Sequence, residues 1–399
     1  MAATERFHAL DACRAAAMSL GVLLHAAASF VVTPISWAVR DPSANITADL
    51  FIGVLHLFRM PVFFLLSGFF ARLIYVRLGI GGFVVHRVQR IVVPLVVALP
   101  LLSPALDALW RWGGSQAIPG SVQDSGYALP RFDMGAAMTS SLAHLWFLYY
   151  LAVLLAIVIG IVWMLRHPSV ERLTSGVDSQ FAGAIQRRYL SFVMALPMTS
   201  VLWFMELPGL PDTPLSVVPQ PRIVAYYGMF LAVGWFLHRQ PDLVSELGHR
   251  LPTGLVIAVI AAVPAAFLAA REVLDHMTNP GLRVISLYCG ALLTWELTLL
   301  FIGCFVRYLS RPRVWVRWLA DASYWCYLVH LPMVVILQIL LAPVAWPGAT
   351  KYGVIVCGAM IFCLVTYQAF VRYTFIGATL NGNRTRFVSP QQVTAEAGS

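Results

Sequence analysis

Apolar residues run along this chain in blocks of about 20, separated by short polar connections, from the N-terminus almost to the end. A block of that length crosses the ~30 Å hydrocarbon core of a bilayer as a single α-helix. The blocks lie near residues 8–31, 51–75, 91–110, 142–165, 189–206, 223–238, 252–270, 284–306, 318–341 and 352–372. They predict an all-α, polytopic transmembrane bundle of about ten spans. Pro197, Pro208 and Pro211 interrupt the fifth and sixth blocks, whose limits are the least defined. The first block is too long for the apolar core of a secretory signal and contains Arg14 and His25, so it is expected to remain as a span. Residues 1–375 read as one membrane domain, and residues 376–399 as a short polar tail, expected to be disordered.

Composition explains where the surplus apolar surface goes. The chain is 59% hydrophobic and 11% charged, against roughly 25% charged for a soluble domain. So few charges cannot coat a water-facing surface, and the surplus is lipid-facing. The formal charge of +9 matters less than its position. No Lys/Arg-rich helix with interleaved aromatics is present, so no nucleic-acid partner is expected. Arginines crowd the even-numbered connections: Arg77, Arg87 and Arg90, then Arg166, Arg172, Arg187 and Arg188, then Arg239 and Arg250, then Arg307, Arg311, Arg313 and Arg317. The odd-numbered connections are poorer, with residues such as Arg40, Arg111 and Lys351. The positive-inside rule then puts both termini in the cytoplasm. The longest outer connection, 111–141, reads either as a cover over a cleft or as a plain loop. Six cysteines fall in apolar blocks without a CxxC pair or zinc-like His/Cys spacing, so they read as packing residues, and no metal is expected. No internal repeat supports an inverted-repeat transporter.

Ionisable groups inside spans are costly in lipid and usually face a cavity or a partner. Arg14 and His25 are eleven residues apart in the first span, which on a helix is ~16 Å of rise and ~20° of offset, so they share a face. Arg14 suits an anionic donor group, or pairs with Asp11 one turn away. His25, among Leu, Ala and Val, reads as a general base, or as a satisfied structural histidine. His56 and Arg59 are i,i+3 neighbours at a depth similar to His25. Arg59 suits an oxyanion or an acyl carboxylate, or a buried structural pair with His56. Arg87 and Arg90 open the third span, where arginine forks suit phosphates but also serve as membrane anchors. His144 and Trp146 begin the fourth span beside Tyr149 and Tyr150, and Tyr324, Tyr327 and His330 follow one another by i,i+3 steps in the ninth. Glu296 is buried in ALLTWELTLL and either orients a histidine or bonds a neighbouring helix. Ser67-Gly68 lacks the G-x-S-x-G context of a nucleophile and reads as a small pair for close helix approach.

Five pieces in order give the chain a resemblance: Arg14-x10-His25, FFLLSGF at 63–69, Arg87-x-x-Arg90, HLWFL at 144–148 and SYWCYLVHLP at 323–332. Together they resemble the acyltransferase 3 family of integral membrane acyltransferases over roughly residues 8–375. The His56-x-x-Arg59 element and the opening LDACRA are most similar to the branch that succinylates osmoregulated periplasmic glucans. The resemblance implies a multi-pass protein of the bacterial inner membrane, with acyl-CoA, succinyl-CoA in that branch, as a cytoplasmic co-substrate and a periplasmic glucan as acceptor. No permanently bound cofactor is implied. His25, Arg14, His56 and Arg59 would be catalytic, and Arg87, Arg90 and Arg14 would bind the donor. His144, Trp146, Tyr324, Tyr327, His330 and Glu296 would bind the acceptor or play a supporting part. The ~16 Å rise from Arg14 to His25 is comparable to an extended pantetheine arm. Two other readings stand beside this one: O-acetylation of another cell-surface polysaccharide, and export of a glycan or metabolite without acyl-transfer chemistry. The oligomeric state is left open, a homodimer included.

Overall fold

A computed structural model describes residues 7–33, 35–116, 142–164, 179–206, 209–214, 216–274 and 279–381, and among these the regular elements are all helical. The 117–141 part of the long outer connection lies outside the described residues. Helix α1 (His8–Ala27) is unbroken, so Arg14 and His25 do sit on one rod. α2 (Ile46–Arg87), a π-helical segment (Val88–Val92) and α3 (Val93–Gly114) form one 69-residue helical stretch. Drawn straight, that stretch would be ~100 Å long, about three bilayer cores. It is not straight. Gly79 takes φ 66° and ψ −176°, a backbone conformation open to glycine and hardly to other residues. The chain doubles back there: Arg87 Nη2 donates to the Phe70 carbonyl at 2.9 Å, and the Tyr75 and Phe83 rings are 6.2 Å apart. The predicted second and third spans are thus the two arms of this stretch.

Among the described residues seven helices are long and apolar enough to cross a membrane, against the ten or so spans expected. The shortfall has local causes. The two arms at Gly79 count as one helix. α5 (Leu190–Leu202) has 13 residues, only ~20 Å of rise. α6 (Pro221–Arg239) carries Arg222, His238 and Arg239 at its ends and falls outside the seven. α4 (Trp146–Met164) and α8 (Leu251–Leu274), the latter preceded by the short α7 (Leu243–His249), lie where spans were expected. So do α9 (Pro280–Tyr308), α10 (Val314–Leu341) and α11 (Gly348–Thr366).

Two sequence expectations change on packing. Arg250 and Lys351, which read as orientation charges in connections, are both buried and paired. Lys351 Nζ meets Asp41 Oδ2 at 2.8 Å, and Arg250 Nη2 meets Glu296 Oε1 at 2.7 Å. The polar tail expected from residue 376 begins instead with a helix, α12 (Phe375–Asn381). Leu380 is buried, its carbonyl accepts from Arg90 Nη1 at 3.2 Å, and Asn381 Nδ2 donates to the Asp321 carbonyl at 2.7 Å. Residues 382–399 lie outside the described residues.

The Ser67-Gly68 pair lies in a close helix crossing. A Cβ on Gly68 would stand 1.9 Å from the Leu231 carbonyl oxygen, and one on Gly234 would stand 1.8 Å from that of Leu65. The two glycines let the backbones of α2 and α6 meet, as small residues do between helices in lipid.

Candidate functional site

The site grows from the last turn of α1. His25 stacks on Trp37 with ring centroids 5.7 Å apart and planes 7° from parallel. Trp37 lies in the connection after α1, yet it is fixed. Its Nε1 donates to Gln338 Oε1 at 2.9 Å, and Gln338 Nε2 donates in turn to the carbonyls of His25 and Ala26 at 2.9 and 3.1 Å. The buried Asp41–Lys351 pair holds the same connection further on. The end of α1, the Trp37 connection and α10 are therefore one locked unit around the His25 ring.

α2 brings in His56 and Arg59. The His56 Nε2 faces the Pro211 carbonyl at 3.1 Å and so carries the hydrogen, since a carbonyl only accepts. Arg59 lies against α1. A Cβ on Gly21 would be 2.5 Å from Arg59 Nη1, so the missing side chain at Gly21 makes the guanidinium's berth. Gly21 is one turn before His25 on the same face. Among the described residues Arg59 has no carboxylate within ion-pair distance, and its Nε is shut from solvent without a hydrogen-bond partner. Arg59 is half-buried, and a partly desolvated cation without an anion is costly and points to a charge supplied from elsewhere.

His144 enters from a 3-10 turn (Ala143–Leu145), directly after Ala143, which takes φ 45°. Its ring and backbone are both tied to α10. His144 Nε2 donates to the Leu328 carbonyl at 3.1 Å, and the Tyr327 hydroxyl donates to the His144 carbonyl at 2.8 Å. His330, one turn along, turns its Nδ1 to the carbonyls of Cys326 and Tyr327 at 2.9 and 2.8 Å. The His330 ring lies between two others, 5.3 Å from His25 and 5.4 Å from His144.

These groups border one cavity of about 470 Å³, within the usual ~300–1,000 Å³ of small-ligand sites. His25, His56, Arg59, His144, Tyr327 and His330 all line it, together with Trp146. Sequence reasoning had placed the first three at a common depth, and the structure adds the other four at the same level. Trp146 is 6% exposed, so it is a cavity wall and not an interfacial anchor. Among the described residues no group of three or more His, Cys, Asp or Glu side chains is placed to hold a metal ion.

Other candidates lie elsewhere. The cavity reaches Met18 but not Arg14. Arg14 is 39% exposed, 3.5 Å from Asp11, with its guanidinium 5.9 Å from the Phe70 ring centre. Arg87 and Arg90, although three residues apart, do not share a target, because the π-helical turn at 88–92 shifts the face. Arg87 holds the Phe70 carbonyl and Arg90 the Leu380 carbonyl. The Tyr324 hydroxyl donates to the Arg90 carbonyl at 2.6 Å, which ties it to that end of the bundle and away from the cavity. Glu296 neither orients a histidine nor faces the cavity. It accepts from Arg250 Nη2 with both oxygens, at 2.7 and 2.8 Å, and from the Ser191 hydroxyl. Removing one member of such a pair leaves an uncompensated buried charge, so Glu296→Gln should destabilise the fold by about 3–5 kcal/mol. The double variant Arg250→Met with Glu296→Leu should recover much of that loss. Thermal unfolding in detergent checks both.

Sequence reasoning missed Trp37, Trp110, Asp107, Gln338 and Gly21. Trp37 and Trp110 meet edge to face at 5.4 Å, and with Asp107 they line the cavity on its α3 side. Two signals were available: Asp107, an acid inside the predicted third span, and Gln338, a polar residue within an otherwise apolar run.

A multi-pass helical bundle with a histidine-rich intramembrane cavity defines the class of the molecule, and comparison with known proteins agrees. The chain belongs to the acyltransferase 3 family: a family model described as an acyltransferase domain matches residues 7–368. That match takes in every cavity residue named above. Among curated proteins it is similar to Glucans biosynthesis protein C of Salmonella paratyphi B and of Salmonella dublin. Each is 23% identical over 388 residues, covering 94% of this chain and 95% of the relative. No solved structure matches the chain.

Proposed function

We propose that this acyltransferase works in the bacterial inner membrane, moving a succinyl group from cytoplasmic acyl-CoA to hydroxyls of a periplasmic glucan. The observation that carries this reading is the single cavity in which His25 stands beside the unpaired Arg59. In the proposed reaction His25 takes the proton of an acceptor hydroxyl as its oxygen bonds to the thioester carbonyl carbon. The carbon–sulfur bond breaks, and the proton passes from His25 to the departing thiolate. The free carboxylate of a succinyl group would supply the anion that Arg59 lacks. Family membership favours transfer chemistry over the export reading, and the similarity to Glucans biosynthesis protein C favours a glucan over another polysaccharide. The orientation follows the positive-inside rule: both termini and the Arg87–Arg90 end in the cytoplasm, the His25 end toward the periplasm. The test is mass spectrometry of periplasmic glucans from cells with and without the protein. Succinylated glucan only in cells that carry the protein is the expected result, and identical spectra would overturn the reading.

The donor end carries its own expectation. Phosphate contacts far from the reacting carbon act mostly as uniform binding, so Arg90→Ala should raise KM for acyl-CoA more than it lowers kcat. Arg87→Ala should do the same and also loosen the hairpin, since Arg87 ties the Phe70 carbonyl across the turn at Gly79. Steady-state kinetics at varied acyl-CoA, beside thermal unfolding, separates the two effects. A large fall in kcat at unchanged KM would make both residues structural.

A further inference from the structure

The three neighbouring imidazoles at the cavity, one pair tilted and the other edge to face, do not have equal hydrogen-bonding freedom. Carbonyl oxygens only accept, so each ring nitrogen that faces one carries the hydrogen, and the other nitrogen is left as a lone pair. His330 Nδ1 faces two carbonyls, those of Cys326 and Tyr327. Its Nε2 is therefore an acceptor, and it is shut from solvent with no hydrogen-bond partner among the described residues. His144 is held the opposite way round, Nε2 on the Leu328 carbonyl, so its Nδ1 is also a bare lone pair. His144 has no ring hydrogen to offer His330, and the Nε2 hydrogen of His56 is committed to the Pro211 carbonyl.

His25 is the ring that fits. Its Nδ1 is likewise buried without a partner. Its centroid is 5.3 Å from that of His330, with planes tilted by 39°. No hydrogen bond joins the two nitrogens as the rings stand, and at that spacing a modest rotation of either ring brings facing nitrogens within hydrogen-bonding reach. The geometry points to His330 as a positioning residue for His25: its Nε2 accepts the Nδ1–H of His25 and leaves His25 Nε2 as the lone pair that meets the acceptor hydroxyl. This rests on the acyl-transfer reading above and adds the residue that sets the tautomer of the base. The relation is that of a base oriented by a third group. The protons balance. The hydroxyl hydrogen moves to His25 Nε2 as the new carbon–oxygen bond forms, then to the thiolate as the carbon–sulfur bond breaks. The Nδ1 hydrogen stays on His25 throughout, and its bond to His330 strengthens while His25 is cationic. Arg59 is a further donor lining the cavity, beside hydroxyls and indoles such as Ser36, Ser103, Thr213 and Trp110, and as the charged one it is treated separately in the test.

The experiment compares His330→Gln with His330→Met in the full chain in lipid nanodiscs, with succinyl-CoA and periplasmic glucan as substrates. The two side chains have nearly the same length, and only Gln offers a strong acceptor oxygen. His330→Met should lower kcat by roughly 10²–10⁴ with KM for succinyl-CoA unchanged. His330→Gln should stay within about tenfold of the native kcat, the residual loss reflecting imperfect geometry. Activity of His330→Met within threefold of native overturns the proposal. So does a Gln variant as inactive as the Met variant, or a loss expressed in KM alone. If Arg59, not His25, served His330, the Met substitution would leave kcat unchanged in an Arg59→Met background, and that also overturns it. Full activity of His25→Ala, by contrast, would remove the acyl-transfer reading itself.

Discussion

His25→Ala should abolish acyl transfer while leaving the fold and acyl-CoA binding in place. A positioned general base contributes roughly 10²–10⁴ in rate, so the expected loss in kcat is at least a hundredfold. The fold should survive because α10 grips the backbone at this point. Gln338 donates to the main-chain carbonyls of residues 25 and 26, which any side chain leaves intact. Trp37 loses its stacking partner but keeps its own bond to Gln338. Binding of acyl-CoA should persist because the Arg87–Arg90 end is separated from the cavity by the length of α1 below Met18. Glucan acylation by mass spectrometry, with acyl-CoA binding by calorimetry, checks both halves. Near-normal acylation by the variant would sink the assignment of His25 as base.

Arg59→Met should cost succinyl transfer far more than acetyl transfer. A succinyl group carries a free carboxylate and an acetyl group does not. In a cavity walled by Leu, Met and aromatic side chains, that carboxylate needs a charge-assisted partner. Arg59 is suited to be that partner because its Nε is unpartnered and no described acid reaches it. A hydrogen bond to a charged group is worth about 1.5–3 kcal/mol, so discrimination between the donors should fall roughly ten- to a hundredfold. Met fills much of the stem volume, and Gly21 keeps the α1–α2 approach open. Parallel assays with succinyl-CoA and acetyl-CoA give the answer. An equal fall for both donors would mean that Arg59 stabilises an oxyanion common to every donor, or serves only the fold.

Helical class and membrane residence could be read from the sequence because both follow from local quantities: block length against bilayer thickness, and the charge needed to coat a soluble surface. The shared depth of His25, His56 and Arg59 was also legible, since rise per residue along a helix converts sequence separation into height. So was Ser67-Gly68 as a packing device, because a small pair in an apolar span has few other uses. What joined His144, Tyr327 and His330 to that level was out of reach. Their meeting depends on how α4 and α10 are staggered, and hydrophobic periodicity gives a helix its buried face but not its axial position against a neighbour.

The remaining site features came from tertiary structure for the same kind of reason. Trp37 and Gln338 are 301 residues apart, so nothing local marks one as the other's partner. Arg250 stands at a helix boundary, where an arginine usually anchors at the membrane surface. Only the packing of α8 against α9 turns it inward to Glu296. The turn at Gly79 reads as an ordinary glycine until its φ of 66° is seen, because the residue is permissive and the fold chooses the conformation. The sequence alone determined that this chain is a membrane helical bundle with costly polar groups at one depth. Tertiary structure decided which of those groups share a cavity, which pair off as supports, and which cation is left waiting for an anion, because each outcome is set by distances between helices that no run of residues encodes by itself.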